Sequence, residues 1–166
     1  YNHSVVLNSD GTVTAFGDNS HYQLDIPNGL SDVVVVDAGR DWNLVLHSNG
    51  TMTAWGNNDY EQTMVPAGLQ SIVDIAAGDF HGLALHSDGT VSAWGRNDHY
   101  QCDIPEGLSD VVAIDAGLLF SMALHSDGTV TSWGSNQHGQ ISEQPEGLSD
   151  VVAIATGITH SIVLKS

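Results

Sequence analysis

Nine histidines, 20 acidic residues and a scatter of serines are the side chains of this 166-residue sequence suited to holding a metal, moving a proton or attacking an electrophile. His47, His86 and His125 are the most regular, but they stand in three separate segments rather than at the His-x3-His spacing that puts two imidazoles on one ion. Set around a common axis they could still ring an ion; a hydrogen bond at a strand end is the plainer role. His3, His81 and His160 share a second position with Trp42 and Phe120, so that position takes any ring and reads as packing or rim. The serines form no Gly-x-Ser-x-Gly elbow, and Cys102 has no basic or helix-terminal setting to ionise its thiol. Ser9-Asp10-Gly11 is contiguous and so fails the Ser-x-Asp-x-Gly spacing of sugar-cleaving boxes, which leaves its aspartate a turn role. Carboxylate pairs for acid–base catalysis would need a fold that brings distant residues together. The sequence therefore predicts no catalytic residue, no metal ligand and no cofactor.

Charge narrows the partners. Three Lys and Arg against 20 Asp and Glu give a formal net charge of -17, which opposes binding to nucleic-acid phosphate or an anionic membrane and favours neutral or basic proteins. No apolar run approaches the roughly 18 residues of a membrane span, and one cysteine cannot make an internal disulfide. The start, Tyr1-Asn2-His3-Ser4, lacks both a Met and a signal-peptide pattern, so a mature product or an excerpt is expected. Few lysines with many acids, Ser, Thr, Asn and Gly suggest a secreted or cell-surface bacterial protein. Asn2-His3-Ser4 and Asn49-Gly50-Thr51 are sequons, the second already accounted for by a turn.

What positions these residues is a repeat. An aromatic-Gly pair falls at Phe16-Gly17, Trp55-Gly56, Trp94-Gly95 and Trp133-Gly134, 39 residues apart each time. In phase with it run Ser9-Asp10-Gly11-Thr12, Ser48-Asn49-Gly50-Thr51, Ser87-Asp88-Gly89-Thr90 and Ser126-Asp127-Gly128-Thr129. Pro-x-Gly-Leu begins at Pro27, Pro66, Pro105 and Pro145, where the last step is 40, so one residue is added between Gly134 and Pro145. The approximate repeats are 1–39, 40–78, 79–117 and 118–157, with 158–166 an overlapping extra strand in one repeat domain.

Each repeat reads as four strands. Val33–Val36, Ile72–Ile75, Val111–Ile114 and Val151–Ile154 are short β-branched runs of the kind buried on both faces. Leu44–Leu46, Leu83–Leu85 and Met122–Leu124 follow, and Asp-Gly or Asn-Gly then predicts a type I′ turn. Thr90–Trp94 alternates, with Val91 and Ala93 on one face and Trp94 on the other. A polar segment holding Gln23, Gln62, Gln101 or Gln140 is expected to carry the outer strand. One such sheet buries too little apolar surface to stand alone, so its neighbours must stack on it. The fold class is all-β: a β-propeller of four-stranded antiparallel blades, about four in this chain, as a partial or assembled ring.

Ala77-Gly78-Asp79-Phe80-His81-Gly82-Leu83-Ala84-Leu85, continuing to Ala93-Trp94-Gly95-Arg96-Asn97, resembles the regulator of chromosome condensation repeat family, and the likeness runs through the whole chain. Its short repeat and Trp-Gly…Pro-x-Gly-Leu layout are similar to those of bacterial members, among them the propeller-type inhibitors of β-lactamases. Two features depart from the pattern. Only Gly139-Gln140 keeps the family's Gly-Gln, against Tyr22-Gln23, Glu61-Gln62 and Tyr100-Gln101, and about four blades stand where the family has seven.

Residues that repeat in every blade serve the scaffold, so a partner must be read at loop positions that differ. These are Asp41, Trp42, Asp79 and Phe80 after the Ala-Gly pairs, and Tyr22, Tyr60, His99 and Tyr100 after Trp-Gly. Aromatic rings among acids bury area at small entropic cost. The function expected is a non-catalytic protein-binding scaffold; the alternatives are a structural subunit of an extracellular fibre or surface assembly, self-associating through its terminal blades, and a β-lactamase-inhibitor-like protein.

Overall fold

In the computed structural model, residues 2–142 and 145–166 are described. Tyr1, with which the first repeat is read to begin, and residues 143–144, in the segment that holds the added residue, lie outside them.

Among the described residues, thirteen strands make five antiparallel sheets. The first pairs β1 (His3–Leu7) with β2 (Val13–Gly17). Three complete blades follow: β3 (Val33–Ala38), β4 (Trp42–His47) and β5 (Met52–Gly56); β6 (Ile72–Ala77), β7 (His81–His86) and β8 (Val91–Gly95); β9 (Val111–Ala116), β10 (Phe120–His125) and β11 (Val130–Gly134). The last pairs β12 (Val151–Thr156) with β13 (Ser161–Lys165). Complete blades thus have three strands rather than four. The glutamine segments, such as residues 18–32, run as successive turns because their backbone is bonded locally by Asn, Asp and Gln side chains, as in Leu24 N–H to Asn19 Oδ1.

The first strand of each blade carries a bulge at Val34, Val73, Val112 or Val152, which leaves each of these valines exposed. An extra residue there bends and twists the strand. The Asp-Gly hairpins also differ from the expected type I′ form. Only their glycines have positive φ, 78–81°, while the Asx residue before each does not. Gly11 N–H reaches Asn8 C=O, and Asp10 Oδ1 accepts both the Thr12 N–H and its hydroxyl, so the side chain holds a three-residue loop with Gly last. Those Thr12 bonds also hold the Asp10 carboxyl below its usual value.

Packing between sheets follows one rule. Leu44 and Leu46 of one blade meet Ile72, Ile75, Ala77, Ala84 and Trp94 of the next. Leu83, Leu85, Val91 and Ala93 then meet Ile114, Ala123 and Trp133, and Val5, Leu7 and Val13 meet Val45 and Trp55. Val91 and Ala93 therefore face forward and Trp94 backward, as the alternation predicts. The tryptophan near the end of each complete blade's third strand also donates its indole N–H across the interface to a glutamine main-chain carbonyl preceding that blade. Trp55 binds Gln23 at 3.0 Å, Trp94 binds Gln62 at 2.9 Å and Trp133 binds Gln101 at 2.9 Å. The glycine after each of these three tryptophans is obligatory: at Gly95 (φ 96°) a Cβ would lie 2.7 Å from Phe80 O.

The first strands β3, β6, β9 and β12 lie side by side at the axis. Asp37 Oδ2 accepts the Ala77 N–H at 2.7 Å and Asp115 Oδ2 the Thr156 N–H at 2.6 Å, so carboxylates tie neighbouring blades there. Burial pushes Asp37 up to about 6. An acid raised above its unfolded value of 3.8 stabilises the fold below that pH and loses the contribution as pH rises through about 6. Asp37→Asn keeps one acceptor, for the Ala77 N–H, loses the one that the Ala38 N–H uses, and removes the titration. Relative to the parent chain, this variant is expected to gain up to about 3 kcal/mol between pH 4 and pH 7, measured by urea unfolding at each pH. Trp94→Ala is expected to cost about 3–5 kcal/mol in the same assay. Phe16→Ala, at the matched position of the first sheet but 56% exposed, should cost under about 1 kcal/mol.

Candidate functional site

Strand direction separates two ends of every blade. The Asp-Gly hairpins occupy one. At the other, the turn between first and second strands lies beside the segment that leaves the third strand, because His81 pairs with Gly95 and Trp42 with Gly56. Sequence varies from blade to blade at this loop end, and a cleft of about 570 Å³ opens there over the axis. Asn2, Asp41, Asp79, Leu118 and Ile158 line it, one from each successive sheet, together with Asp18, His21 and Arg40.

The cleft is acidic but internally paired. Asp41 Oδ2 stands 3.7 Å from Arg40 Nε and 3.9 Å from His21 Nδ1. Asp18 accepts the Ser20 hydroxyl and the Gln23 side-chain N–H, and the Ser20 bond holds its carboxyl below the usual value. Burial pushes Asp79 up to about 6. Asp18, His21 and Asp41 bring one ligand atom each within 4.8 Å of one another, although the sequence predicts no metal ligand.

Beside the cleft, residues from four segments stack. The Tyr60 and Phe80 rings meet edge to face at 5.1 Å. Arg40 lies over Phe80 at 5.6 Å, and Arg96 over Tyr60 at 4.6 Å and over Phe80 at 5.3 Å. Arg96 is held by a two-pronged bond to Asp98, at 2.8 and 2.7 Å. Two of the chain's three cationic side chains thus converge on one aromatic pair, a composition typical of interface hot spots.

Tyr22 and Tyr100 sit farther out, 71% and 69% exposed, and both have φ of 63°. Glu61 at the matched position has φ of 62°, and the fourth repeat has Gly139 there with φ of 76°. Left-handed backbone costs a side-chain-bearing residue roughly 1–2 kcal/mol. This conformation turns the following glutamine inward. Gln23, Gln62 and Gln101 are wholly buried. Gln62 Oε1 accepts the Tyr60 N–H while its Nε2 donates to Asn57, leaving its carbonyl to the tryptophan of the next blade.

The sequence-predicted residues divide accordingly. Asp41, Asp79, Phe80 and Tyr60 gather at the cleft and stack, and Tyr22 and Tyr100 project from the same end. Trp42 does not reach the surface: it is wholly buried, and its indole N–H bonds to the carbonyls of Gly78 and Asp79. Its position holds interblade packing, as at His81 and Phe120, both also buried. His99 is half-buried, its N–H donating to Gln101 Oε1, and its ring is not part of the stack. Sequence reasoning places Arg40 in a variable loop but counts neither it nor Arg96 among the contact residues; the signal was the scarcity of cations, two of which sit at variable loop positions. His47, His86 and His125 bond through Nδ1 to the carbonyls of Ser31, Gln70 and Ser109 and through Nε2 to Thr53, Ser92 and Thr131, which is the strand-end role.

Tyr100→Gly relieves the left-handed strain and is expected to raise stability by about 1 kcal/mol, while Gly139→Tyr lowers it by a similar amount, both read by thermal unfolding. A destabilised Tyr100→Gly protein would show that the ring is needed for packing.

Comparison with known proteins follows this geometry. The sequence profile described as Regulator of chromosome condensation (RCC1) repeat matches residues 1–23, 33–62, 72–101 and 111–140. Among solved structures the chain is similar to Prp20p from Saccharomyces cerevisiae, with 20% identity, a TM-score of 0.84 and coverage of 98% of this chain and 53% of that one. It is also similar to the ectodomain of the Physcomitrella patens receptor kinase CR4, at 26%, 0.82, 98% and 48%, and to human WBSCR16, at 20%, 0.75, 98% and 57%. The chain spans about half the length of these structures. No curated protein sequence matches it.

Proposed function

The chain belongs to the regulator of chromosome condensation (RCC1) repeat family, and from that premise we propose that it is a non-catalytic scaffold that binds a protein partner through the loop end of its blades. One observation carries the reading. Tyr22 and Tyr100 keep an unfavourable backbone conformation where glycine fits, and their rings are turned to solvent instead of into the core. Strain at exposed aromatic residues is a mark of contact surfaces.

The stacked Tyr60, Phe80, Arg40 and Arg96 add a rigid anchor of the residue types that dominate protein interfaces. A net charge of -17 steers a basic partner toward it. Relatives in fold support a protein ligand: yeast RCC1 (Prp20) is known in complex with Kap60, and Prp20p has binding properties toward Gsp1p and histones.

The test is retention of partner proteins by the immobilised chain. A double Tyr22→Gly, Tyr100→Gly variant, folded by circular dichroism, is expected to bind the retained protein about 30-fold or more weakly. Ser87→Glu with Ser126→Glu, at the hairpin end, should bind it as the parent does. Equal loss in both variants, or in neither, overturns the proposal.

A further inference from the structure

At the hairpin end the seams between successive sheets are not all alike. At three of them the hairpin glycine carbonyl accepts the N–H that starts the next sheet: Gly11 from Val33, Gly89 from Val111 and Gly128 from Val151, at 3.1–3.2 Å. A Cβ on those glycines would lie 3.1–3.4 Å from Asp32, Asp110 and Asp150. The second seam, between β3–β5 and β6–β8, stands open. Gly50 makes no such bond to Ile72, and a Cβ there would meet nothing within 4 Å. The opening is a groove of about 240 Å³ walled by Met52, Val65, Pro66 and Leu69. Met52, Val65 and Leu69 also pack against the buried cluster of Leu44, Ile72 and Trp94, so the walls continue into the core.

Charge is withdrawn from the same place. The first seam carries Asp10, Asp25 and Asp32, and the third Asp88, Asp103, Glu106 and Asp110. The residues matched to those last four at the second seam are Asn49, Met64, Ala67 and Ser71. Residues 42–58 and 62–73 hold no Asp, Glu, Lys or Arg, in a chain of net charge -17. Met64 is the sharpest change. At its position Asp25 and Asp103 accept the side-chain amides of Asn19 and Asn97 at 2.9 and 2.7 Å, whereas Met64 forgoes that bond and is 63% exposed. A bare apolar chain in place of a bonded carboxylate does nothing for its own blade, so its use lies outside the blade.

We propose that this seam is a contact between two copies of the chain, each inserting Met64 into the groove of the other about a two-fold axis. Projecting side chain and groove are neighbours in sequence, the self-complementary arrangement that a two-fold contact requires. Electrostatics selects the occupant. Two chains of net charge -17 repel over most of their surfaces, and their approach is least opposed where both are uncharged. A charged segment of another protein would lose its water there with no opposite charge to receive it. The flexible thioether of methionine suits a shallow, irregular groove. The inference is independent of the loop-end reading, since the groove lies at the opposite end of the blades and leaves the loops free.

The experiment is sedimentation equilibrium of the full 166-residue chain under reducing conditions, from about 1 μM to about 1 mM. Reversible exchange between monomer and dimer is expected, tighter at about 1 M than at about 0.1 M salt because repulsion between the copies is then screened. Met64→Asp with Ala67→Glu installs the residues of the third seam, and Met64→Asp restores a hydrogen-bond acceptor for Asn58, so the fold is retained, as circular dichroism would verify. Dimerisation of this variant should weaken about 30-fold or more. Gln137→Glu with His138→Asp adds the same charge at the loop end and should leave dimerisation as in the parent. Hydrogen exchange should show residues 49–52 and 64–69 protected in the dimer. A chain that stays monomeric throughout overturns the proposal, as does a dimer that the Met64 variant preserves or that both variants weaken equally.

Discussion

Everything in this molecule depends on how one small sheet is joined to the next. A three-stranded blade has two apolar faces and too little area to persist alone. The solution, repeated three times, is a tryptophan that reaches backward and gives its N–H to a carbonyl whose position is set by a buried glutamine. Apolar contact supplies most of the attraction, and the single polar bond satisfies the one group on the indole that burial would otherwise leave wanting. That carbonyl points the right way only because the residue before it takes a left-handed turn. A local backbone choice at the rim is thus coupled to packing between blades.

This coupling explains where the sequence speaks clearly. The 39-residue step, the strands and the faces of Val91, Ala93 and Trp94 all express demands that recur at every interface, so internal comparison exposes them. The strand count was less legible. Gln62 looks like part of a polar outer strand, yet its side chain bonds Tyr60 N–H and Asn57 within a turn, a local competition that periodicity does not register. Trp42 misled for a related reason: as a lone tryptophan among His and Phe counterparts it resembles a variable contact residue, while its space in the core simply accepts any ring.

The candidate site was legible in part. That variable loops gather at one end follows from the repeat, and Asp41, Phe80, Tyr60, Tyr22 and Tyr100 are all found there. The stack of Arg96 on Tyr60 and Phe80 was hidden because its members come from two repeats and meet only through blade-to-blade geometry. The strain at Tyr22 and Tyr100 is invisible without φ angles, although the departure from Gly-Gln at those positions already marked the place.

The backward reach of the tryptophans gives the array a direction. Peeling away the first sheet would remove the Gln23 carbonyl and leave the Trp55 indole bare in water, whereas peeling away the last would uncover aliphatic side chains but no indole. The two faces of a blade are therefore unequal: separation on one side strips an indole of its acceptor, while separation on the other uncovers aliphatic side chains alone.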